Sequence, residues 1–152
     1  MATELIPGYS GFRGGLLGEV YNEAAFRHFL AVDRSRAKRS MRSVLLVLVG
    51  VQRGPGLDTK LTDAMAAALF GGLGLCVREV DFVGWYREGY VAGAVLTQGS
   101  KASGSEPQLI AERIRPALRK RLSADEARNL RVRVVRLDGG AAGILPGRSL
   151  MQ

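Results

Sequence analysis

The stretch that decides the fold is R78-E-V-D-F-V-G-W-Y-R-E-G-Y-V-A-G-A-V-L96. Two apolar, aromatic-rich runs flank Arg87-Glu88-Gly89. Such a composition predicts two strands folded back through a tight turn, with Gly89 free to take positive φ. Just before the first strand, Arg78-x-x-Asp81 offers a planar cation and a carboxylate three residues apart. An arginine can make paired, charge-assisted bonds to an anion such as phosphate. Arg78 and Asp81 are therefore the first place to expect a small anionic ligand. In a chain this rich in arginine the spacing arises readily by chance, and the competing reading is a simple Arg78–Asp81 ion pair.

Working outward, Ser43 to Val51 reads S-V-L-L-V-L-V-G-V, a continuous run that predicts a central strand covered on both faces. After the turn-forming Arg53-Gly54-Pro55-Gly56, the spacing of Leu61, Ala64, Met65, Ala68 and Leu69 predicts a helix over about 58–70, ended by Gly71, Gly72 and Gly74. Upstream, Phe26, Phe29, Leu30 and Ala37 form a stripe within a helix over about 18–39, whose basic end suits the negative helix pole. Downstream of the hairpin, Ser105-x-x-Gln108 opens a helix to about Leu122, with Pro116 predicted to bend it near Glu112. Ser123-x-x-Glu126 caps a short turn of helix, and Leu130 to Leu137 forms a last strand. Residues 1–17 and 138–152 are glycine-rich, without periodicity, and read as a flexible N-terminal arm and a flexible C-terminal tail. The order predicts an α+β, ferredoxin-like βαββαβ core of the type found in nucleotide cyclases, with an added N-terminal helix and a mixed, mainly antiparallel sheet flanked by helices.

Composition narrows the classes. With 152 residues, 47% of them hydrophobic, the chain has the makings of one domain with a real core. No apolar run approaches the roughly 20 residues of a membrane helix, and no signal peptide opens the chain, so a cytoplasmic protein is expected. A single Cys76 and a single His28 exclude a disulfide framework and a zinc cluster. Cys76 reads as a buried small apolar residue, His28 as a surface helix residue, and Asp63 as a first-turn helix acid. Trp85 and Tyr86 alternate on the hairpin, one of them facing the core. The net charge of +8 suits an anionic partner. Nucleic acid is disfavoured, because no aromatics interleave the basic residues 34–42 as base stacking requires.

These residues resemble those of GGDEF domains, the bacterial diguanylate cyclases that make cyclic di-GMP from two GTP. Leu17, Tyr21, Asn22 and Phe26 sit as in the family's opening D-x-L-T-G-L-Y-N-R-R-A-F, and Arg36-Ala37-Lys38-Arg39 precedes the first strand. Thr62-Asp63 falls where the family has Gly-Asp, Arg78-x-x-Asp81 where it has its product-binding R-x-x-D, and Arg87-Glu88-Gly89-Tyr90-Val91 where its signature tip lies. The resemblance covers about Gly15 to Leu137 and implies a degenerate GGDEF-like domain over 18–137. In the family, an Asp closing the first strand and an acid at the fourth signature position hold the metals; those places are Gly50 and Tyr90 here. Phosphoryl transfer needs metal ions to neutralise the transferring group, so the resemblance implies no catalysis, no cofactor and no metal site. Two functions remain. One is a cyclic di-GMP receptor using Arg78 and Asp81, in a signalling pathway and with a second subunit as a candidate partner; the other is a ligand-free module that docks a protein partner.

Overall fold

A computed structural model describes residues 9–13, 19–77, 81–97 and 106–138. Its elements run β1 (Tyr9–Arg13), β2 (Glu19–Tyr21), α1 (Glu23–Ser40), β3 (Ser43–Val51), α2 (Asp63–Cys76), β4 (Phe82–Arg87), β5 (Val91–Thr97), α3 (Glu106–Arg119), α4 (Ala124–Arg128) and β6 (Leu130–Asp138). Among the described residues six strands form one sheet in the order β1-β2-β4-β5-β3-β6. β2 runs parallel to β4, and every other neighbouring pair is antiparallel. The inner order β4-β5-β3-β6 is the predicted βαββαβ core.

β3 is buried along its whole length, and its side chains alternate between two cores as a period of two demands. Leu45, Val47, Val49 and Val51 face Leu69, Phe70, Ile114 and Leu118 of α2 and α3. Val44, Leu46 and Leu48 face Phe26, Leu30 and Ala37 of α1. One helix thus covers one face and two cover the other. Trp85 and Tyr86 split between the cores, both buried, so each fills a face. Gly89 takes φ 83° at the hairpin turn, as read from the sequence.

Several expectations need correction. Tyr9–Arg13, inside the stretch read as an arm, forms β1 and pairs with β2 at the sheet edge. Backbone ladders need no apolar period, so its glycine-rich sequence carried no signal. The first helix starts at Glu23 rather than near Gly18, because Asn22 caps it by accepting from Ala25 N at 2.9 Å, leaving Glu19–Tyr21 extended. The second starts at Asp63, capped by Thr62, whose hydroxyl accepts from Met65 N at 3.1 Å.

Gly71, Gly72 and Gly74 do not end that helix; they lie inside it and are buried. A Cβ on Gly72 would stand 2.5 Å from Leu118 Cδ2, so this glycine lets α2 and α3 pack closely. Cys76, expected to be buried, ends α2 only half-buried. α3 stops at Arg119, with Pro116 in its last turn, earlier than Leu122. Ser105, like the 139–152 part of the tail, lies outside the described residues. The Ser123/Glu126 capping box is present, with reciprocal bonds of 3.1 and 3.2 Å. His28 is exposed, and Asp63 stands in the first turn of α2. Among the described residues no helix is long and apolar enough to cross a membrane.

Candidate functional site

β4 carries two candidate sites, one at each end. The hairpin tip is the better defined. The Glu88 carboxylate accepts from Glu23 N at 3.1 Å, and the Glu23 carboxylate accepts from Glu88 N at 2.7 Å. Glu23 is the first residue of α1, where an unpaired N–H and the positive helix pole both favour a carboxylate. Arg27, one turn further along, donates Nε to Tyr86 O at 2.9 Å and lies 4.2 Å over the Tyr86 ring. Burial pushes the Tyr86 phenol above its usual range, against the opposing pull of the Arg27 guanidinium. Leu61 N bonds Gly89 O from the other side at 2.8 Å. Glu88 is thus tied to α1.

The rest of the tip is equally occupied. The Arg87 guanidinium lies 4.4 Å over the half-buried Tyr90 ring, and Val91 is buried against the α1 core. At the end of β3, a Cβ on Gly50 would meet Asp58 Oδ1 at 3.2 Å and Tyr90 O at 3.3 Å. Asp58 therefore brings a carboxylate to the corner where Gly50 has none, and Gln52 Nε2 donates to it at 3.2 Å. Sequence reading missed this residue, because it comes from the connection after the strand. Among the described residues no three His, Cys, Asp or Glu side chains are grouped to hold a metal ion. The donor set at this corner does not fit the metal pair that the sequence resemblance brings with it.

The second site is the entry to β4. Asp81 is half-buried there, and its charge acts on Asp33 of α1. Burial first, and then the Asp81 charge, push the Asp33 carboxyl above its ordinary value, opposed by Arg36, whose Nη1 stands 3.8 Å from Asp33 Oδ1. Arg78, the other half of the predicted pair, lies outside the described residues. Asp33, Arg36, Ser40 and Arg42 line a cleft of about 260 Å³ where α1 ends and β3 begins. Rings gather at the β4 entry, where Phe82 directly follows Asp81: Tyr21 and Phe29 lie with centroids 4.8 Å apart, and Phe29 and Phe82 6.1 Å apart. Asp33 carried no motif; its place four residues after Phe29 on the helix was the available signal.

With this geometry in place, solved structures give the context. The GGDEF domain of DgcB from Caulobacter crescentus, solved in complex with c-di-GMP, superposes with a TM-score of 0.67 over 99% of this chain and 86% of its own, at 14% identity. The fold is that of GGDEF domains. The GGDEF domain of FimX from Pseudomonas aeruginosa gives a TM-score of 0.56 at 14% identity, covering 86% of this chain and 83% of its own. A DGC protein from Thermotoga maritima gives 0.55 at 17% identity, covering 77% and 79%. No protein-family model matches the chain, and no curated protein matches it in sequence. The GGDEF likeness thus resides in the path of the backbone, and the side chains must be read for themselves.

Proposed function

We propose that this chain is a non-catalytic module of the GGDEF fold that binds cyclic di-GMP through Arg78 and Asp81. The observation that carries the reading is Asp81, half-buried at the β4 entry within electrostatic reach of Asp33. A carboxylate so placed can accept the N1 and N2 hydrogens of guanine, and Arg78, three residues earlier, can take a phosphate. The c-di-GMP complex of the similarly folded DgcB domain supports the choice of ligand. The absence of catalysis is supported by Gly50 at the end of β3 and by the Glu88 carboxylate, already engaged at the α1 N-terminus.

Isothermal titration of cyclic di-GMP into the protein tests the reading, with Arg78→Ala and Asp81→Asn as variants and GTP as control. Selective binding, weakened about tenfold or more by either substitution, is the expected result, since each removes a charge-assisted bond. The lack of any heat at ligand concentrations that detect micromolar affinity would overturn it. Incubation with GTP and Mg²⁺ should give no cyclic di-GMP, and product formation would overturn the non-catalytic half. The alternative, a ligand-free docking module with a protein partner or a second copy, draws on Leu75 and Leu109, which stay exposed on α2 and α3.

A further inference from the structure

The margins of an open β-sheet leave backbone N–H and C=O groups outside any ladder, and a margin that is long, regular and without proline invites another strand. Among the described residues the margins are β1 and β6. β1 is five residues long, contains a glycine, and slips register against β2. Shortness and a register slip both discourage docking. β6 has neither protection: its nine residues, LRVRVVRLD, include no glycine or proline and pair with β3 without a slip. It offers about 30 Å of regular edge.

The side chains give that edge a chemistry. On the α1 face, the core takes in Val135 and Leu137, whereas Arg131 and Arg133, nearer the start of the strand, are exposed. Arg131 stands opposite Gly50, which has no side chain to fill the corner, and its Nη1 donates to Leu130 O at 3.2 Å. On the other face Val132 and Val134 are half-buried against the core of α2 and α3. We propose that the outer edge of β6 is a docking site for an extended acidic segment of another protein, in which carboxylates alternate with apolar side chains. Acids at every second position fall on the face of Arg131 and Arg133, and the apolar side chains between them lie beside Val132 and Val134. The backbone ladder supplies affinity, and the alternation supplies the choice of partner. A second copy of this chain fits poorly, because the strand carries three arginines against one aspartate and would meet its own charge. Nucleic acid cannot use the ladder, and valines between the arginines offer no ring to a base. β5 and β3 separate β6 from β4, so this surface stands apart from the nucleotide reading.

A dye-labelled peptide of about ten residues, alternating glutamate and valine, tests the proposal by fluorescence anisotropy, against a peptide of the same residues in blocked order, glutamates first and valines after. The alternating peptide should bind at least about tenfold more tightly than the blocked one. Arg131→Glu with Arg133→Glu should weaken it about tenfold or more. Lys38→Glu with Arg39→Glu, the same charge change at the exposed end of α1, should stay within about threefold of wild type. Thermal unfolding of each variant checks that the fold persists. On binding, alternate amides of β6 should exchange with deuterium more slowly. Equal binding of the two peptides, or equal losses in the two double variants, would show attraction by net charge alone and overturn strand docking. So would tighter binding of a single-stranded DNA of matching length, or no anisotropy change at protein concentrations up to about 1 mM.

Discussion

The two ends of β4 treat charge in opposite ways. At the tip, Glu88 and Glu23 exchange backbone bonds of 2.7 and 3.1 Å, Arg27 bonds Tyr86 O, and Arg87 covers Tyr90, so the polar groups serve to close the corner. At the entry, Asp33 meets Arg36 only at 3.8 Å, two carboxylates act on each other, and a phenylalanine lies partly in water. Groups satisfied by their own chain hold a fold together. Groups on a partly exposed helix face can be offered to a ligand, and a change in their environment costs little stability.

Four substitutions would break or sharpen this contrast. The largest effect is expected from Gly84→Ala. A Cβ there would lie 2.8 Å from Phe26 Cδ1 and from both Cβ and the backbone oxygen of Tyr21, and Tyr21 pairs with Gly84 across β2 and β4. Backbone cannot yield as a side chain does, so we expect a loss of about 1–3 kcal/mol in denaturant unfolding. Because Tyr21 also packs against Phe82, the residue after Asp81, cyclic di-GMP binding should fall with it, although neither Arg78 nor Asp81 is touched.

Next in size is the clamp. Glu88→Ala leaves the first α1 N–H without its carboxylate and should cost about 1 kcal/mol, as loss of a helix cap does. Glu23→Ala should cost a similar amount, and the double variant less than the sum, since the two residues share one contact. Full additivity in a double-mutant cycle would show that the clamp is not a unit. Nucleotide binding at the entry should stay unchanged throughout, which separates the two ends of β4.

Asp33→Asn should give the smallest change and the opposite sign. The folded state raises the Asp33 carboxyl above 3.8, so the native protein holds a proton there more readily than the unfolded chain. Its contribution is most favourable below the unfolded value and is lost as pH rises through the folded one, leaving a burial penalty at neutral pH. Asn removes that penalty. We expect a gain of under about 1 kcal/mol at pH 7 and none at pH 3, with a flatter stability profile across the carboxylate range.

Much of this arrangement was legible before any fold was described. The run from Ser43 to Val51 could only be a strand covered on both sides, and Glu88-Gly89 marked the turn, which takes in Tyr90 while Arg87 ends β4. Ser123 and Glu126 made their capping box because both partners lie three residues apart. What escaped notice was made by distance. Glu23 and Glu88 are 65 residues apart, and neither betrays the other in sequence. Asp58 reaches the corner beside Gly50 by the return of the chain, so a reading by position found only the missing carboxylate. At the β4 entry, R-x-x-D drew attention to Asp81, while Phe29 and Asp33 passed as ordinary members of a helix stripe and its flank. Glycine was the other source of error, since the same residue that stops a helix also lets two helices meet.

Those α2 glycines set the order in which the molecule can be assembled. Each costs the helix about 1 kcal/mol relative to alanine, so 63–76 is a poor helix by itself. Its close approach to Leu118, and to Arg121 just beyond α3, repays that deficit only after some fifty residues of chain have come back. We expect α2 to be a late helix, consolidated by α3 and not in advance of it. The whole α2–α3 layer should open and close as one cooperative unit, while α1, with its Asn22 cap and its carboxylate at the first N–H, can form early and wait.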